Sequence, residues 1–201
     1  MTDGVRLERG GHAHAEAGSC LMERVSIIAG EPFTDRPRCA HPALAALAQQ
    51  VNDRVSDEAR QALLRLAPGL ATSATDDPRA SWALVAVCAR HVLERRPGDV
   101  LAARLLRRAS RGQRHWSRLR LRGLPARLAG LRALPELAVA FHRAAALSGP
   151  SGSAERDAAL VALLEAAVTT VTRPDHASVS PGVSVSPDVR CSTWKTASSS
   201  S

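Results

Sequence analysis

The chain has no tyrosine, and only three tryptophans and two phenylalanines among its 201 residues. A core of packed aromatic rings is therefore excluded, and burial falls to Ala, Leu and Val, which favour helices over strands. Long hydrophobic runs are absent too. Nowhere do roughly 18 apolar residues follow one another, so no segment reads as a membrane-spanning helix. The opening MTDGVRLERGGHAHAEAG lacks the apolar stretch of a signal peptide. Cys20, Cys39, Cys88 and Cys191 form no CxxC pair and no dense framework, which is the usage of a reducing compartment, and a cytoplasmic location is expected. GxSxG, Walker, GxGxxG, HExxH and EF-hand patterns are missing, and with them the commonest sequence signatures of hydrolases, nucleotide sites and metalloproteases.

Lysine is nearly absent: Lys195 stands alone against twenty-six arginines. This reads as the codon usage of a GC-rich genome, so arginine identity alone carries little weight. The distribution of charge says more. Between Asp99 and Glu136 there is no acidic residue, yet there are ten arginines, so the net +8 resolves into +10 in that window and −2 elsewhere.

What is present is mostly helical periodicity. Residues 1–11 are polar and glycine-containing, the composition of a flexible arm. Ala15 to Ala29 places Leu21, Met22, Val25, Ile28 and Ala29 at spacings of three and four, and Gly30 ends that helix. Glu31 to Ala40 is a loop. His41 at the cap and Pro42 at the first helical position start a second helix with Leu44, Leu47, Ala48, Val51 and Val55 inward. Ser56 caps a third, with Ala59, Leu63, Leu66, Ala67 and Leu70 inward, and Asp77-Pro78 opens a fourth whose stripe is Trp82, Val85, Ala89 and Val92.

Asp99 caps a basic helix. Its Leu101, Leu105, Ala109, Gly112, Trp116 and Leu119 fall on one arc, and Arg104, Arg107, Arg108, Arg111, Arg114, Arg118 and Arg122 on another. The two faces separate only if the helix continues through Gly112, where glycine costs about 1 kcal/mol relative to alanine. Leu119 to Leu137 resembles a single leucine-rich repeat in its spacing, but one unit cannot bury its own face. Short helices broken at Gly123, Gly130 and Pro135 are expected instead. Helices from Pro135 to Leu147 and from the Ser153 cap onward follow. From Thr172 the composition turns to Ser, Val, Pro and Thr, as in a disordered tail. The expected architecture is all-α, a helical bundle or irregular array of short antiparallel helices over residues 12–171, with a disordered C-terminal tail over 172–201.

The residues most able to carry chemistry lie between Cys20 and Asp53. Thiolates and imidazoles are the usual zinc ligands, which makes Cys20, Cys39 and His41, with His12 and His14, a candidate zinc set. Their spacing departs from the paired ligands of structural zinc sites. A Cys20–Cys39 disulfide and a Cys39–His41 nucleophile and base are two further readings, although an i, i+2 pair across a helix start rarely aligns such groups. Against these stands a structural account: Cys20 in the core, His41 as a cap, and His12 and His14 solvated. Glu23, Glu31, Asp35, Cys39 and His41 form the candidate site, with structural pairing favoured over acid–base work for the carboxylates.

The arginine face is the strongest physical signal, because uncompensated cations repel unless an anion is near. An acidic protein partner, an anionic membrane surface or nucleic acid would satisfy it, the last with steep salt dependence.

Cys20-Leu21-Met22-Glu23, Val25-Ser26, Ala29-Gly30-Glu31-Pro32-Phe33, Asp35, Pro37, Cys39, His41-Pro42 and Asn52-Asp53 resemble an uncharacterised actinobacterial protein family. Its pattern is CLME-x-VS-x-x-AGEP-x-[ST]-D-x-P-x-C-x-x-P followed by Asn-Asp. The resemblance covers roughly residues 12–70 and leaves the arginine-rich segment out. It implies a bacterial, cytoplasmic setting and a helix–loop–helix junction, and it assigns no catalytic residue.

The function expected from all of this is a cytoplasmic helical protein acting as a non-enzymatic interaction or regulatory module. Two alternatives stand beside it: nucleic-acid binding through residues 104–132, and a small metal-dependent enzyme, with zinc, built on the Cys20 to His41 cluster.

Overall fold

The computed structural model describes residues 6–118, 128 and 130–173. Arg122, Leu119, the side chain of Arg118 and the expected tail from 174 onward lie outside the described residues. The protein is all-α. Among the described residues, its helices include α1 (Leu21–Ile28), α2 (Pro42–Arg54), α3 (Asp57–Ala62), α4 (Ala67–Ala71), α5 (Pro78–Arg95), α6 (Val100–Arg118), α7 (Leu134–Leu147) and α8 (Ala154–Thr172), with short 3-10 turns at Ala15–Ala17 and Leu63–Leu66. Among the described residues, extended pairing is limited to one isolated parallel bridge between Leu7 and Ser19. None of their helices is long and apolar enough to cross a membrane.

Helix starts follow local chemistry. Ser56, Asp77 and Ser153 accept backbone N–H groups from Ala59, Arg79 and Arg156, and Asp99 Oδ1 accepts from Ala102 N at 2.9 Å. Each occupies one of the donors that a helix N-terminus leaves unpaired. Pro42, Pro78 and Pro135 sit in first turns, where the missing N–H is not needed.

One connected cluster of buried side chains runs from Leu7 to Val171. α5 lies at its centre, with Trp82, Val85, Ala89 and Val92 all buried. α6 packs along α5 without interruption at Gly112, because a Cβ there would stand 2.5 Å from the Trp82 ring. α6 and α7 run antiparallel. Asp99 meets Arg143 at 2.6 Å at one end of the pair, and Arg108 meets Glu136 at 2.8 Å further along. The α7 and α8 stripes, Leu137, Phe141 and Ala144, then Leu160, Leu164, Val168 and Val171, are buried as the periodicity requires.

The structure departs from the sequence reading in several places. The first helix does not run from Ala15 to Ala29: Gly18 takes φ +121°, and the chain turns there before Cys20 starts α1. Ile28 is 52% exposed, and Glu23 and Ser26 are buried in its stead. The third helix is divided by the 3-10 turn at Leu63–Leu66 ahead of Pro68. Leu101 is 41% exposed, at the margin of a stripe whose centre is Ala102, Leu105 and Ala109.

The N-terminal segment also behaves differently from an arm. Leu7 is 1% exposed, and its backbone exchanges two hydrogen bonds with the Gln61 amide, at 2.8 and 3.0 Å. Gly10 N donates to Asp53 Oδ1 at 3.0 Å. Residues 7–12 are thus docked across α1, α2 and α3.

Candidate functional site

The candidate site is a junction of three pieces: the docked N-terminal segment, α1 with the loop after it, and α2. Glu23 sits at the third position of α1 and is 1% exposed. Its carboxylate accepts from Cys20 N at 2.7 Å, which caps the helix, and from His12 N at 2.6 Å; His12 Nδ1 lies 2.9 Å away. Burial alone would raise its pKa, but the donors from His12 and Cys20 outweigh that and hold it below the usual carboxylate range. His12 also reaches Glu8 at 3.4 Å. A histidine read from sequence as solvated is a partner of the most buried carboxylate in the motif.

The loop after α1 is held from within. Ser26 Oγ donates to Glu23 O at 2.7 Å and accepts from Thr34 N at 3.2 Å. Glu31 accepts from Arg38 N at 2.7 Å and Cys39 N at 2.8 Å, so one carboxylate closes the Gly-Glu-Pro loop. Asp35 is fixed by Gln49, whose Nε2 donates to its backbone oxygen at 2.8 Å and to Oδ2 at 3.2 Å. Asn52 is fully buried and reads two segments at once: its Oδ1 accepts from Leu21 N at 3.3 Å, and its Nδ2 donates to Glu8 O at 2.8 Å.

The thiols are poor nucleophiles here. Burial, reinforced by the Glu23 carboxylate, pushes the Cys20 thiol up to about 12. Burial and then the Glu31 carboxylate push Cys39 up to about 11. Both are free, so the Cys20–Cys39 disulfide does not form. Among the described residues, no three His, Cys, Asp or Glu side chains converge in a metal-holding arrangement, and Cys20, Cys39 and His41 make no such group. His41 faces another neighbourhood: its backbone N donates to Ser73 Oγ at 3.1 Å, and its Nε2 lies 3.5 Å from Ser81 Oγ. The structure therefore brings together Glu23 with Cys20, and Glu31 with Cys39. It places Asp35 beside α2, and turns His41 toward α5.

Two cavities adjoin the junction. A polar cleft of about 140 Å³ lies between Gly10-Gly11 and α2, lined also by Cys20, Asp35, Gln49, Gln50, Asn52 and Asp53. A more apolar hollow of about 180 Å³ lies where α2 and α5 begin, between His41, Pro42, Pro78, Ser81, Leu128 and Leu131. Gly10, Gly11, Gln49 and Asn52 entered the site only with the structure. The Asn52-Asp53 pair was visible in the motif, whereas nothing in the spacing marks the two glycines or Gln49.

The arginine face lies away from this junction. Arg104, Arg107, Arg108, Arg111 and Arg114 are all exposed on α6. Arg108 pairs with Glu136, whose side chain is largely buried. Among the described residues, His115 and Trp116 bring rings near that face, set edge to face at 4.8 Å, and Trp116 packs against the core.

Comparison of the chain with protein-family models, with curated proteins and with solved structures finds no match in any of the three.

Proposed function

We propose that this small all-helical domain is a non-enzymatic interaction module, in which the Cys20–Asp53 motif builds the scaffold and the exposed face of α6 meets the partner. One observation carries the reading. The polar groups of the motif are occupied by backbone: Glu23 by two N–H groups and Glu31 by two more. A general acid or base must be able to reach substrate, and a nucleophile needs an accessible low-pKa form. Glu23 is enclosed, and Cys20 and Cys39 are shifted the wrong way. The resemblance of the motif to an actinobacterial family and the free thiols of Cys20, Cys39 and Cys88 among the described residues support a bacterial cytoplasmic setting for the module.

The non-enzymatic half of the reading is tested at Cys39, the more accessible of the motif's two thiols. At pH 8 a thiol near 11 holds about 0.1% thiolate, against roughly a quarter for a free cysteine. Peptide-resolved alkylation by iodoacetamide at that pH is expected to run tens of times slower at Cys39 than for free cysteine. A rate equal to that of free cysteine shows a thiol that is not shifted upward, a faster one shows an activated nucleophile, and either overturns the reading.

A further inference from the structure

α6 carries two seams on opposite sides. Ala102, Leu105, Ala109, Gly112 and Trp116 repeat at three and four residues and turn toward the core, with Gly112 beneath the Trp82 ring. Val100, Arg104, Arg107, Arg111 and Arg114 repeat at four, three, four and three. At about 100° per residue their mean direction is nearly opposite the first seam. All five are exposed, Val100 at 61%. Among the described residues, these four arginines have no carboxylate partner within 4.0 Å, whereas Arg108 beside them is paired with Glu136.

The spacing matters as much as the charge. A mean repeat of 3.5 keeps a row of side chains within one narrow, slowly winding stripe of the helix, the geometry by which one helix meets another. The four guanidiniums span ten residues, about 15 Å. Like charges three and four apart destabilise a helix, so the row is a standing cost until an anionic partner covers it. The fork of each guanidinium matches a carboxylate in a bidentate pair. Nucleic acid fits less well: binding to single strands relies on successive rings for base stacking, and among the described residues beside the seam the exposed ring is His115, while Trp116 packs inward. The seam opens on an aliphatic residue, Val100, which has no use against a phosphate backbone.

We propose that this seam docks an acidic α-helix of a partner protein, with carboxylates at matching spacings of three and four and an aliphatic side chain opposite Val100. The proposal rests on the interaction-module reading and deepens it by naming the partner's chemistry.

The test uses the full chain and two synthetic peptides of identical composition. One places four glutamates and a leucine on a single heptad seam; the other scatters them around the helix. Mixed single-stranded and duplex oligonucleotides serve as competing probes. By fluorescence anisotropy at about 50 mM salt, the patterned peptide is expected to bind about tenfold or more tightly than the scattered one and than either oligonucleotide, weakening as salt rises. R107E/R111E is expected to lose that binding by more than about tenfold with its helical circular dichroism intact, and R104Q/R114Q to weaken it in the same sense. Equal affinity for the two peptides, tighter binding of an oligonucleotide, or no binding overturns the proposal. Slow Cys39 alkylation together with failed peptide binding would overturn the docking seam alone. Fast alkylation would overturn the module reading whatever the peptides do.

Discussion

His91 on α5 is buried, with Nε2 3.2 Å from Ser148 Oγ. That hydroxyl donates onward to Ala144 O at 2.8 Å, so it accepts from the imidazole, and the ring is neutral with its proton on Nε2. Burial, aided by the nearby Arg95 charge, lowers its pKa from 6.5 to about 4. The sign follows from proton counting. Between those values the unfolded chain binds a proton that the folded chain refuses, so stability is full above about 6.5 and falls as pH drops toward 4. The loss amounts to at most about 1 kcal/mol per pH unit once partial solvation is allowed for. Urea unfolding at pH 7 and pH 5.5 is expected to show this decline in the native chain and a flatter response in His91→Gln, whose amide can still donate to Ser148. An equal decline in both would assign the effect elsewhere. Nothing in the sequence marks this pair, because its members lie 57 positions apart and neither belongs to a motif. Glu31 was marked in the sequence for structural pairing, with a helix N-terminus or an arginine as the expected partner; the partners in the structure are the loop N–H groups of Arg38 and Cys39.

At the scale of the element, Gly112 separates intrinsic preference from packing. Glycine inside a helix costs about 1 kcal/mol against alanine, so Gly112→Ala would stabilise an isolated α6. In the folded protein the new Cβ would meet three Trp82 ring atoms at 2.5 to 2.8 Å, and the ring is hemmed in by the core. Gly112→Ala is therefore expected to destabilise by about 1–3 kcal/mol, read from the shift in urea midpoint, with Trp82→Leu in the same chain recovering part of the loss. A stabilised alanine variant would show that the two helices do not approach this closely. Helix starts were legible because Ser56, Asp77, Asp99 and Ser153 act on donors two or three residues away. The shortening of α1 and the exposure of Ile28 were not. They depend on Gly18 and on the docking of residues 7–12, contacts that local periodicity does not contain.

At the scale of the whole molecule, Glu23 and Asn52 join segments that the chain brings together from residues 7–12, 20–23 and 52. Asp157 on α8 reaches further still, accepting from Ser56 N at 3.2 and 3.3 Å across 101 positions. The N-terminal segment and the first turn of α8 are thus both fastened to the α1–α3 region, and the arginine seam of α6 is left outside this web. The all-α class was legible from composition and period. The docking of the N-terminal segment was not, because polar, glycine-containing residues read the same whether they are solvated or held by buried side chains.

The Cys20–Asp53 motif serves to hold the fold. Equilibrium urea unfolding of Glu23→Gln at pH 7 tests it most directly. The glutamine keeps the shape but presents N–H groups to donors from His12 and Cys20, leaving buried groups unpaired, so a loss of about 2–4 kcal/mol is expected. That is a large fraction of the roughly 5–15 kcal/mol that keeps a domain folded. A variant that unfolds at the native urea midpoint would exclude this structural role and return the motif to candidacy as a site of chemistry.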